Sequence, residues 1–407
     1  MITTINNKHN KLNVPNLRFK EFQGEWEELG LSELLDFKNG LNPKPDKFGK
    51  GIKFISVMDI LNNAVITYDC IKASVDVTEK ELSDFSVEKG DILFQRSSET
   101  LEDVGRANVY MDDKTAVFGG FVIRGKKKGE YDPQYFNYLL RSPFARKRII
   151  PMGAGAQHFN IGQEGLSKVK LHFANIEEQK KIGKMLSLLD ERIATQNKII
   201  EDLKKLKSAI SKLLFAQKPN GWNRLDTLFS KGKAGGTPTS TNKEYYNGEI
   251  PFLSINDITK QGKYVRCTEN YLSQSGLANS SAWVVPKYSL IMSMYASVGL
   301  VTINEIPLAT SQAMFAMQLK DKNLLEYLYY YLSYFKYRHI HKYLETGTQS
   351  NINADIVRGI MIPTYGYRHN IEIASTLQGV DTKIDNELSV LEQLHRQKNY
   401  FLSQMFI

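Results

Sequence analysis

The sequence contains little cysteine and no long apolar run, and both absences exclude whole classes of protein. Only two cysteines, Cys70 and Cys267, occur in 407 residues. They are too few for a disulfide framework and lack the paired spacing of a zinc site, so we expect both to be small buried residues. No apolar run reaches the roughly 18 residues that span a bilayer. Residues 1–13 are polar where a signal peptide is apolar, which predicts a cytoplasmic protein.

The motifs that hold nucleotides and metals are also missing from the sequence. Residues 153–158 (GAGAQH) lack the third glycine of the dinucleotide fingerprint, and no Gly-Lys-Ser/Thr motif is present to bind phosphates. The seven histidines form no ligand cluster, because His339 and His341 fall on different faces of a predicted helix. We therefore expect that this chain binds no cofactor and no metal and has no catalytic residue.

The composition is otherwise that of a globular protein with room for two or three domains. Hydrophobic residues make up 42% of the chain and charged residues 24%. The net charge of +9 favours a polyanionic partner, because each phosphate that a protein neutralises releases condensed counterions. Charge alone does not identify that partner, since many proteins this basic bind no nucleic acid.

The chain contains an internal repeat. Residues 54–60 (FISVMDI) return as residues 252–258 (FLSINDI), and Trp26 returns as Trp222 in a similar context. From Leu166 onward the two copies align without a gap at a constant spacing of 191 residues. Each copy combines short β-rich segments, punctuated by Gly and Asn, with one helical stretch at its C-terminal end.

One segment resembles a catalytic motif, but the repeat argues against that reading. Residues 132–135 (DPQY) are close to the Asp-Pro-Pro-Tyr signature with which adenine methyltransferases orient a flipped base. The equivalent residues 321–324 (DKNL) do not keep the motif, although both segments precede apolar helical runs. An Asp N-cap explains both, with Pro at the first helical position in the first copy.

The helical stretch of each copy has apolar residues at alternating steps of four and three, which is the spacing of a coiled coil. We call this set the seam. Polar residues occupy the same two seam positions in both copies, Gln196 and Lys207 in the first and Glu387 and Lys398 in the second. Such residues commonly fix register and orientation. The apolar seam residues are Ile182, Leu186, Leu189, Ile193, Ile200, Leu203, Ile210, Leu214, Ile373, Leu377, Val380, Ile384, Leu391, Leu394, Phe401 and Met405.

The spacing of the copies predicts how the helices pair. Only residues 217–222 separate the first helix from the second copy, so the second domain begins near the far end of that helix. Parallel helices would make the domains collide at one end, and we therefore predict an antiparallel pair with the domains at opposite ends. The predicted fold class is α+β, with two pseudo-symmetric domains joined by two long antiparallel coiled-coil helices. The predicted boundaries are domains over 1–176 and 218–367, a central helix over 177–217, and a distal helix over 368–407.

Polar loops in equivalent places of the two copies are the candidates for binding DNA. Arg, Lys, Asn and Gln side chains match phosphate groups and the base edges in the major groove. For any single residue, a solvated loop position is the alternative. The candidate residues are Lys38, Asn39, Asn42, Arg96, Ser97, Ser98, Arg146, Arg148, Gln157, His158, Asn160, Lys231, Lys233, Thr237, Tyr295, Ser297, Gln349, Ser350, Asn351 and Asn353.

Several of these features together resemble one known family, the specificity subunits of type I restriction-modification systems. The first feature is the segment 14–22 (VPNLRFKEF) followed by Trp26, and the second is the return of this tryptophan as Trp222. The others are the similar loops at 155–157 (GAQ) and 347–349 (GTQ), and residues 177–182 (EEQKKI) at the start of the first long helix. The resemblance covers nearly the whole chain. One departure is visible, because residues 370–373 (NIEI) stand where the first copy has 179–182 (QKKI).

The resemblance implies a function in defence against foreign DNA. Each domain would be a target-recognition domain for one half of a bipartite double-stranded DNA target, and the helices would set the spacing and dock two modification subunits. Restriction subunits would join the complex for cleavage. S-adenosylmethionine, ATP and Mg would be bound by these partner subunits, so this chain would be non-catalytic by itself and would have no membrane partner.

Two other hypotheses remain open from the sequence. A methyltransferase fused into one chain would need cofactor and catalytic motifs that the sequence does not contain. A coiled-coil scaffold for protein partners would account for the helices but not for two basic domains. Salt-dependent binding to duplex DNA separates the scaffold from the recognition subunit, because phosphate contacts impose a steep dependence on salt.

Overall fold

The computed structural model describes residues 2–4, 13–343 and 351–407, which form two compact units. Unit 1 comprises Met1–Lys198 and Ser389–Ile407, and unit 2 comprises Ile199–Leu388. Each unit therefore holds one copy of the repeat together with a part of each long helix.

Unit 1 is built from short strands and helices that precede one long helix. Its strands are β1 (Ile2–Thr4), β2 (Leu17–Phe19), β3 (Glu27–Gly30), β4 (Leu35–Asn39), β5 (Phe48–Ile55), β6 (Ser74–Val75), β7 (Ser86–Val87), β8 (Ile92–Gln95), β9 (Ser97–Ser98), β10 (Ala107–Val109), β11 (Ala116–Phe118), β12 (Val122–Lys127), β13 (Phe159–Asn160) and β14 (Lys170–Phe173). Its helices are α1 (Leu31–Leu34), α2 (Val57–Asn62), α3 (Glu79–Phe85), α4 (Pro133–Arg141), α5 (Pro143–Ile149), α6 (Gln163–Ser167) and the first part of α7 (Ile176–Phe215).

Unit 2 repeats this pattern. Its strands are β15 (Gly221–Arg224), β16 (Phe229–Ala234), β17 (Tyr246–Leu253), β18 (Tyr264–Val265), β19 (Asn270–Leu272), β20 (Val284–Val285), β21 (Leu290–Ser293), β22 (Val301–Asn304), β23 (Leu308–Thr310), β24 (Met314–Leu319) and β25 (Met361–Thr364). Its helices are the last part of α7, α8 (Ile255–Gln261), α9 (Gln274–Ala278), α10 (Leu325–Arg338), α11 (Ala354–Gly359) and the first part of α12 (Tyr367–Gln404).

The two units share their sheet topology. Unit 1 has a four-stranded antiparallel sheet in the order β10-β8-β12-β4 and a second sheet in the order β6-β5-β11-β7, in which β5 and β11 run parallel. Unit 2 has β16-β24-β21-β22-β18 and β19-β17-β23-β20, with β17 and β23 parallel. Apart from the additional strand β18, each strand of these sheets has a counterpart in the same position. The repeat in the sequence is therefore a repeat of the fold.

The most similar segments of the two copies form a strand followed by a capped helix. Ser56 donates its backbone N–H and its hydroxyl to Asp59, both at 2.7 Å. Ser254 does the same with Asp257 at 2.8 and 2.7 Å. Asp59 and Asp257 are thus each half of a capping box, which satisfies hydrogen-bond donors at the start of α2 and α8.

The two long helices pair antiparallel, and each unit shows this separately. In unit 1, Ile182 and Leu186 near the start of α7 share a core with Met405 and Phe406 at the end of the chain. In unit 2, Phe215 at the end of α7 shares a core with residues 373–377 near the start of α12. The described apolar residues of the seam are each buried or half-buried.

A lysine at a seam position of unit 1 is neutralised by a buried network. Lys398 forms an ion pair with Asp190, and Asp190 accepts a 2.7 Å hydrogen bond from the hydroxyl of Tyr138. Burial, with the neighbouring carboxylate, raises the pKa of Tyr138, so the hydroxyl stays protonated and donates. The network joins α12, α7 and α4.

Unit 2 contains the same network at the equivalent positions. Lys207 forms an ion pair with Asp381, which accepts a 2.7 Å hydrogen bond from Tyr330. Burial raises the pKa of Tyr330, and the hydrogen bond to Asp381 adds to this. Because the lysine now lies on α7 and the acid on α12, the two networks are related by the repeat with the helices exchanged.

The opening segment of the chain is attached to α7 in unit 1 by a buried ion pair. Arg18 donates to both carboxylate oxygens of Glu178 at 2.8 and 2.7 Å, and Trp26 Nε1 donates to the same carboxylate at 3.3 Å. Both charged side chains are almost fully buried, at 4% and 0% exposure. The equivalent of Glu178 in unit 2 is His369, which is half-buried, and Trp222 is 54% exposed where Trp26 is 3%.

Three further features bear on the sequence predictions. Cys70 is half-buried and Cys267 is exposed, so the predicted burial is wrong for Cys267, which lies in a loop that follows the edge strand β18. In the part of the chain that the structure describes, no helix is long and apolar enough to cross a membrane. Among the same residues, no group of three or more His, Cys, Asp or Glu side chains is arranged to hold a metal ion.

Candidate nucleic-acid interface

The polar loops of unit 1 meet at one turn, residues 119–121, between β11 and β12. Leu41 N–H donates to the carbonyl of Phe118 at 2.9 Å, which places the segment after β4 beside the turn. Arg96 N–H donates to the carbonyl of Phe121 at 2.9 Å from the segment after β8. The guanidinium of Arg96 also donates to the carbonyl of Gly120, at 3.4 Å. Two candidate loops that are more than fifty residues apart in the chain therefore share one frame of backbone hydrogen bonds.

A third candidate loop, residues 157–160, pairs with the segment after β8. Strand β9 pairs antiparallel with β13, so that Ser97 lies opposite Asn160, and the Ser97 hydroxyl donates to Asn160 Oδ1 at 2.5 Å. Gln157 and His158 are exposed just before β13. Gly155 has a φ of +142°, and a Cβ at this position would collide with the carbonyl of His158. Glycine at 155 thus permits the tight loop that presents these two side chains.

The three candidate residues in and after β4 differ in how far their side chains are engaged by other residues. Lys38 lies within β4, pairs with Asp84 at 3.2 Å and stands over the Phe85 ring at 4.7 Å. Asn39 and Asn42 are exposed at the end of the strand. Of these three side chains, the two amides are the ones most open to a ligand.

Arg146 and Arg148 are engaged by protein carbonyls. Arg146 donates to the carbonyls of Glu102 and Val104 at 2.8 and 2.6 Å, and burial lowers its pKa to about 10. Arg148 donates to the carbonyl of Lys170 at 2.8 Å and pairs with Glu28 at 3.2 Å. These contacts fix the 102–104 loop and the β3–β14 pair. The two arginines listed as candidates for binding DNA therefore have structural partners within unit 1.

The same frame exists in unit 2 at residues 311–313. Gly236 N–H donates to the carbonyl of Thr310 at 3.0 Å, as Leu41 does to Phe118, and Met294 N–H donates to the carbonyl of Ala313 at 2.7 Å, as Arg96 does to Phe121. Thr237 follows this glycine and is exposed. It occupies the position of Asn42.

The two candidate lysines of unit 2 project from β16. Lys231 Nζ lies 4.2 Å from the centre of the Trp283 ring, and Lys233 Nζ donates to the carbonyl of Ser281 at 3.1 Å. Both lysines are exposed. They place positive charge beside the segment that leads to Thr237, which suits phosphate contacts.

The loop after β21 has a strained backbone. Ala296 and Ser297 have φ values of 41° and 50°, in the left-handed region that favours glycine. The Ser297 carbonyl accepts a 2.8 Å hydrogen bond from the Ser293 hydroxyl, which holds the loop, and Tyr295 is 41% exposed at its tip. Strain of this kind is found at positions where a loop has to present a particular side chain.

The last segment of unit 2 contains four candidates. Gln349 and Ser350 lie outside the described residues. Asn351 is half-buried and precedes Ile352, whose N–H donates to the Met294 carbonyl at 3.1 Å. Asn353 caps α11 by accepting hydrogen bonds from the backbone N–H groups of residues 355 and 356 at 3.0 and 2.9 Å. This cap gives Asn353 a local structural function that the sequence pattern did not reveal.

Sequence reasoning also missed an exposed aromatic residue at the centre of the site in unit 1. Phe121 follows two glycines in the turn, and its side chain is 68% exposed. A single apolar residue in a loop gives no periodic signal, so its exposure was not predictable. The preceding Gly-Gly pair, which marks a close backbone approach, was the available clue.

The segment that resembles a methyltransferase motif is a helix cap, as predicted. Asp132 Oδ1 accepts the backbone N–H of Tyr135 at 2.8 Å at the start of α4, with Pro133 at the first helical position. Tyr135 is fully buried. Asp321 accepts a backbone N–H from Asn323 at 2.9 Å and so caps the 3-10 turn over residues 322–324 that leads into α10, and not α10 itself, whose N-cap is Leu324.

The fold and the paired loops define a protein with two related recognition domains that share an antiparallel pair of helices. The protein-family model for the type I restriction modification DNA specificity domain matches residues 23–205 of the sequence and again residues 219–396. The chain therefore belongs to this family, as a specificity subunit that recognises DNA sequence in a type I restriction-modification system. This confirms the resemblance inferred from the sequence.

Individual relatives agree with this assignment. The chain is 26% identical over 408 aligned positions to a Methanocaldococcus jannaschii protein provisionally named as the MjaX type I specificity subunit, covering 94% of this chain and 93% of that one. It is 34% identical over 113 positions to the HindI specificity subunit of Haemophilus influenzae, covering 27% and 24%. The crystal structure of the S subunit from M. genitalium superposes with a TM-score of 0.57 at 16% identity and covers 97% of this chain and 99% of that one. A chain from a study of type I complex assembly and conformational transition gives 0.62 at 16% identity, covering 93% and 96%. At this identity the two structures show the fold.

Proposed function

We propose that each unit recognises one half of a bipartite DNA target, and that the chain directs the chemistry of partner subunits without being catalytic itself. The observation that supports this most strongly is the shared backbone frame at turns 119–121 and 311–313. The frame is the same in both units, whereas the side chains on it differ. Asn42, Arg96 and Phe121 in unit 1 are replaced by Thr237, Met294 and Ala313 in unit 2.

A constant frame with variable side chains is the arrangement expected for two independent specificities. Backbone hydrogen bonds fix the positions of the loops. The side chains then supply the donors, acceptors and apolar groups that distinguish base pairs. Lysines such as Lys231 and Lys233 add contacts to phosphates that position the domain without selecting a sequence. The two halves of the target should therefore differ in sequence.

The outer faces of the long helices supply a surface for modification subunits. On α7 in unit 2, Ile199, Leu206 and Leu213 recur every seven residues and are 40, 50 and 71% exposed. In unit 1, Leu188 on α7 and Tyr400 on α12 are 54 and 53% exposed. Apolar residues aligned on one helical stripe and left in water mark protein contacts. We assign them to docking of two modification subunits, and assign to the helix pair the spacing of the half-sites.

The chemistry is assigned to the partner subunits. S-adenosylmethionine would be bound by the modification subunits, and ATP and Mg by the restriction subunits, in a cytoplasmic complex that methylates or cleaves DNA. The use of Asp132 as a helix cap and the complete burial of Tyr135 support this division, because neither residue is then available to orient a base.

Exchanging residues 20–170 for those of a related specificity subunit tests the proposal. The full chain is co-expressed with its modification subunits, and methylated adenines are mapped across the host genome. One half of the methylated sequence should change and the other should stay. A target altered in both halves, or methylation by the purified chain alone, would contradict the proposal.

A scaffold that binds only proteins is separated by a direct measurement. The affinity of the complex for duplex DNA should fall steeply as salt is raised, because released counterions drive phosphate binding. A complex that does not bind duplex DNA would favour the scaffold.

A further inference from the structure

A cavity of about 390 Å³ opens beside turn 119–121 in unit 1. The residues that matter in its lining are Asn42, Phe48, Met58 and Phe121. Phe121 is 68% exposed and Met58 60%. Large apolar side chains that are left this exposed next to polar donors indicate a surface that a ligand covers.

Asn42 packs against Gly120, and Phe121 follows this glycine in the turn. A Cβ at Gly120 would collide with the side-chain amide of Asn42, so the amide packs directly against the turn that presents Phe121. The Asn42 side chain is nevertheless exposed. An amide and an aromatic ring therefore line the same cavity, beside the turn to which the backbone of Arg96 is also bonded.

This pair of groups matches the major-groove edge of one base pair. Adenine presents N7 as an acceptor and N6 as a donor, which an asparagine amide meets with two hydrogen bonds. Its partner thymine presents the C5-methyl group, which favours an apolar contact such as a phenylalanine ring. G·C and C·G pairs present no methyl group at this edge, and a T·A pair presents the methyl group and the adenine on exchanged sides.

We propose that Asn42 and Phe121 together recognise one A·T pair in the half-site of unit 1. The amide of Asn42 contacts adenine, and the ring of Phe121 contacts the thymine methyl group. The proposal rests on the proposed function of the chain. Unit 2 has Thr237 and Ala313 at these positions, so the same contact pair is specific to unit 1.

The test uses base analogues that remove one atom or one group. The full chain is assembled with its modification subunits, and the target is taken from the mapped methylated sequence. Duplexes then carry uracil in place of each thymine, or 7-deazaadenine in place of each adenine. At one base pair, uracil should weaken binding about fourfold, the effect of one buried methyl group. At the same pair, 7-deazaadenine should weaken binding about fivefold, the effect of one hydrogen bond.

Variants assign each effect to its residue. Phe121→Ala should abolish the uracil effect and keep the 7-deazaadenine effect, and Asn42→Ala should do the reverse. Phe121→Leu should keep the 7-deazaadenine effect and a part of the uracil effect. Tyr337→Ala is the matched control, since Tyr337 is an aromatic residue of unit 2 that is 78% exposed, and both effects should persist in it.

The outcomes separate the two levels of inference. Analogue effects that fall on different base pairs, that persist in the Ala variants, or that are missing from a complex with sequence-specific binding would overturn the A·T assignment alone. A complex that binds no duplex DNA would instead overturn the proposed function.

Discussion

Replacing Glu178 by alanine should strongly destabilise unit 1. The substitution removes the carboxylate that pairs with the buried guanidinium of Arg18, which also donates to the carbonyls of Gly24 and Gln23 at 2.6 and 3.3 Å. It also removes the acceptor of the Trp26 indole. Removing one partner of a buried ion pair costs about 3–5 kcal/mol, because the remaining charge has lost its counter-ion in a desolvated place.

The effect is best measured by hydrogen exchange of the full chain, because unfolding of two units need not follow one two-state transition. Amides of unit 1 whose exchange requires opening of its core should exchange roughly 100-fold to several thousand-fold faster, at about 1.4 kcal/mol for each factor of ten. Amides of β21 and α10 in unit 2 should keep their rates.

The repeat supplies the control. His369 is the equivalent residue in unit 2, where it is half-buried and contacts Glu372 and Gln217 at 3.2 and 3.3 Å. Its replacement by alanine should change stability by no more than about 0.5 kcal/mol. A double variant with leucine at 18 and 178 should recover much of the lost stability, since apolar residues of similar volume can replace a buried pair. Rates in Glu178→Ala that stay within a factor of five of the parent chain would refute the reasoning.

Three further predictions concern the helices. Asp190→Ala should lower the free energy of opening of unit 1, measured by hydrogen exchange, by about 1.5–3 kcal/mol, the value of hydrogen bonds to a charged group. Lys398→Ala should cost little more in that background, and additive losses would show that the two are not coupled. Leu213→Glu should weaken co-purification of modification subunits without unfolding the chain, as judged by circular dichroism, whereas unchanged co-purification would remove the exposed stripe as a docking surface. Inserting four residues near Gln196 should lengthen α7 by roughly 6 Å, at about 1.5 Å per residue. The gap in the methylated sequence should then grow by one or two base pairs with the bases unchanged, and an active variant with the original gap would contradict the role of the helix in spacing.

Parts of the fold were predictable because they depend on local patterns. The antiparallel helix pair follows from the four-three spacing of residues such as Ile182 and Leu186 together with the short connection at 217–222. The cap at Asp132 follows from a helix-forming run and a proline at the first helical position. The exposure of Phe121 and the cap formed by Asn353 depend on neighbours distant in sequence or on exact helix starts, which no pattern in one sequence specifies.

The sequence alone determined that the chain is duplicated, that each copy ends in a helix with an apolar stripe interrupted at two polar positions, and that polar loops recur between its strands. It could do so because side-chain periodicity and capping act between residues a few positions apart. The tertiary structure decided which loops meet. Ser97 reaches Asn160, and Asn42 reaches Gly120, only because strands distant in the chain pair with each other, β9 with β13 and β4 with β12. It also decided that Arg146 holds a loop while Arg96 lies at the candidate interface, since the surroundings of two chemically identical side chains are set by packing and not by the residue type.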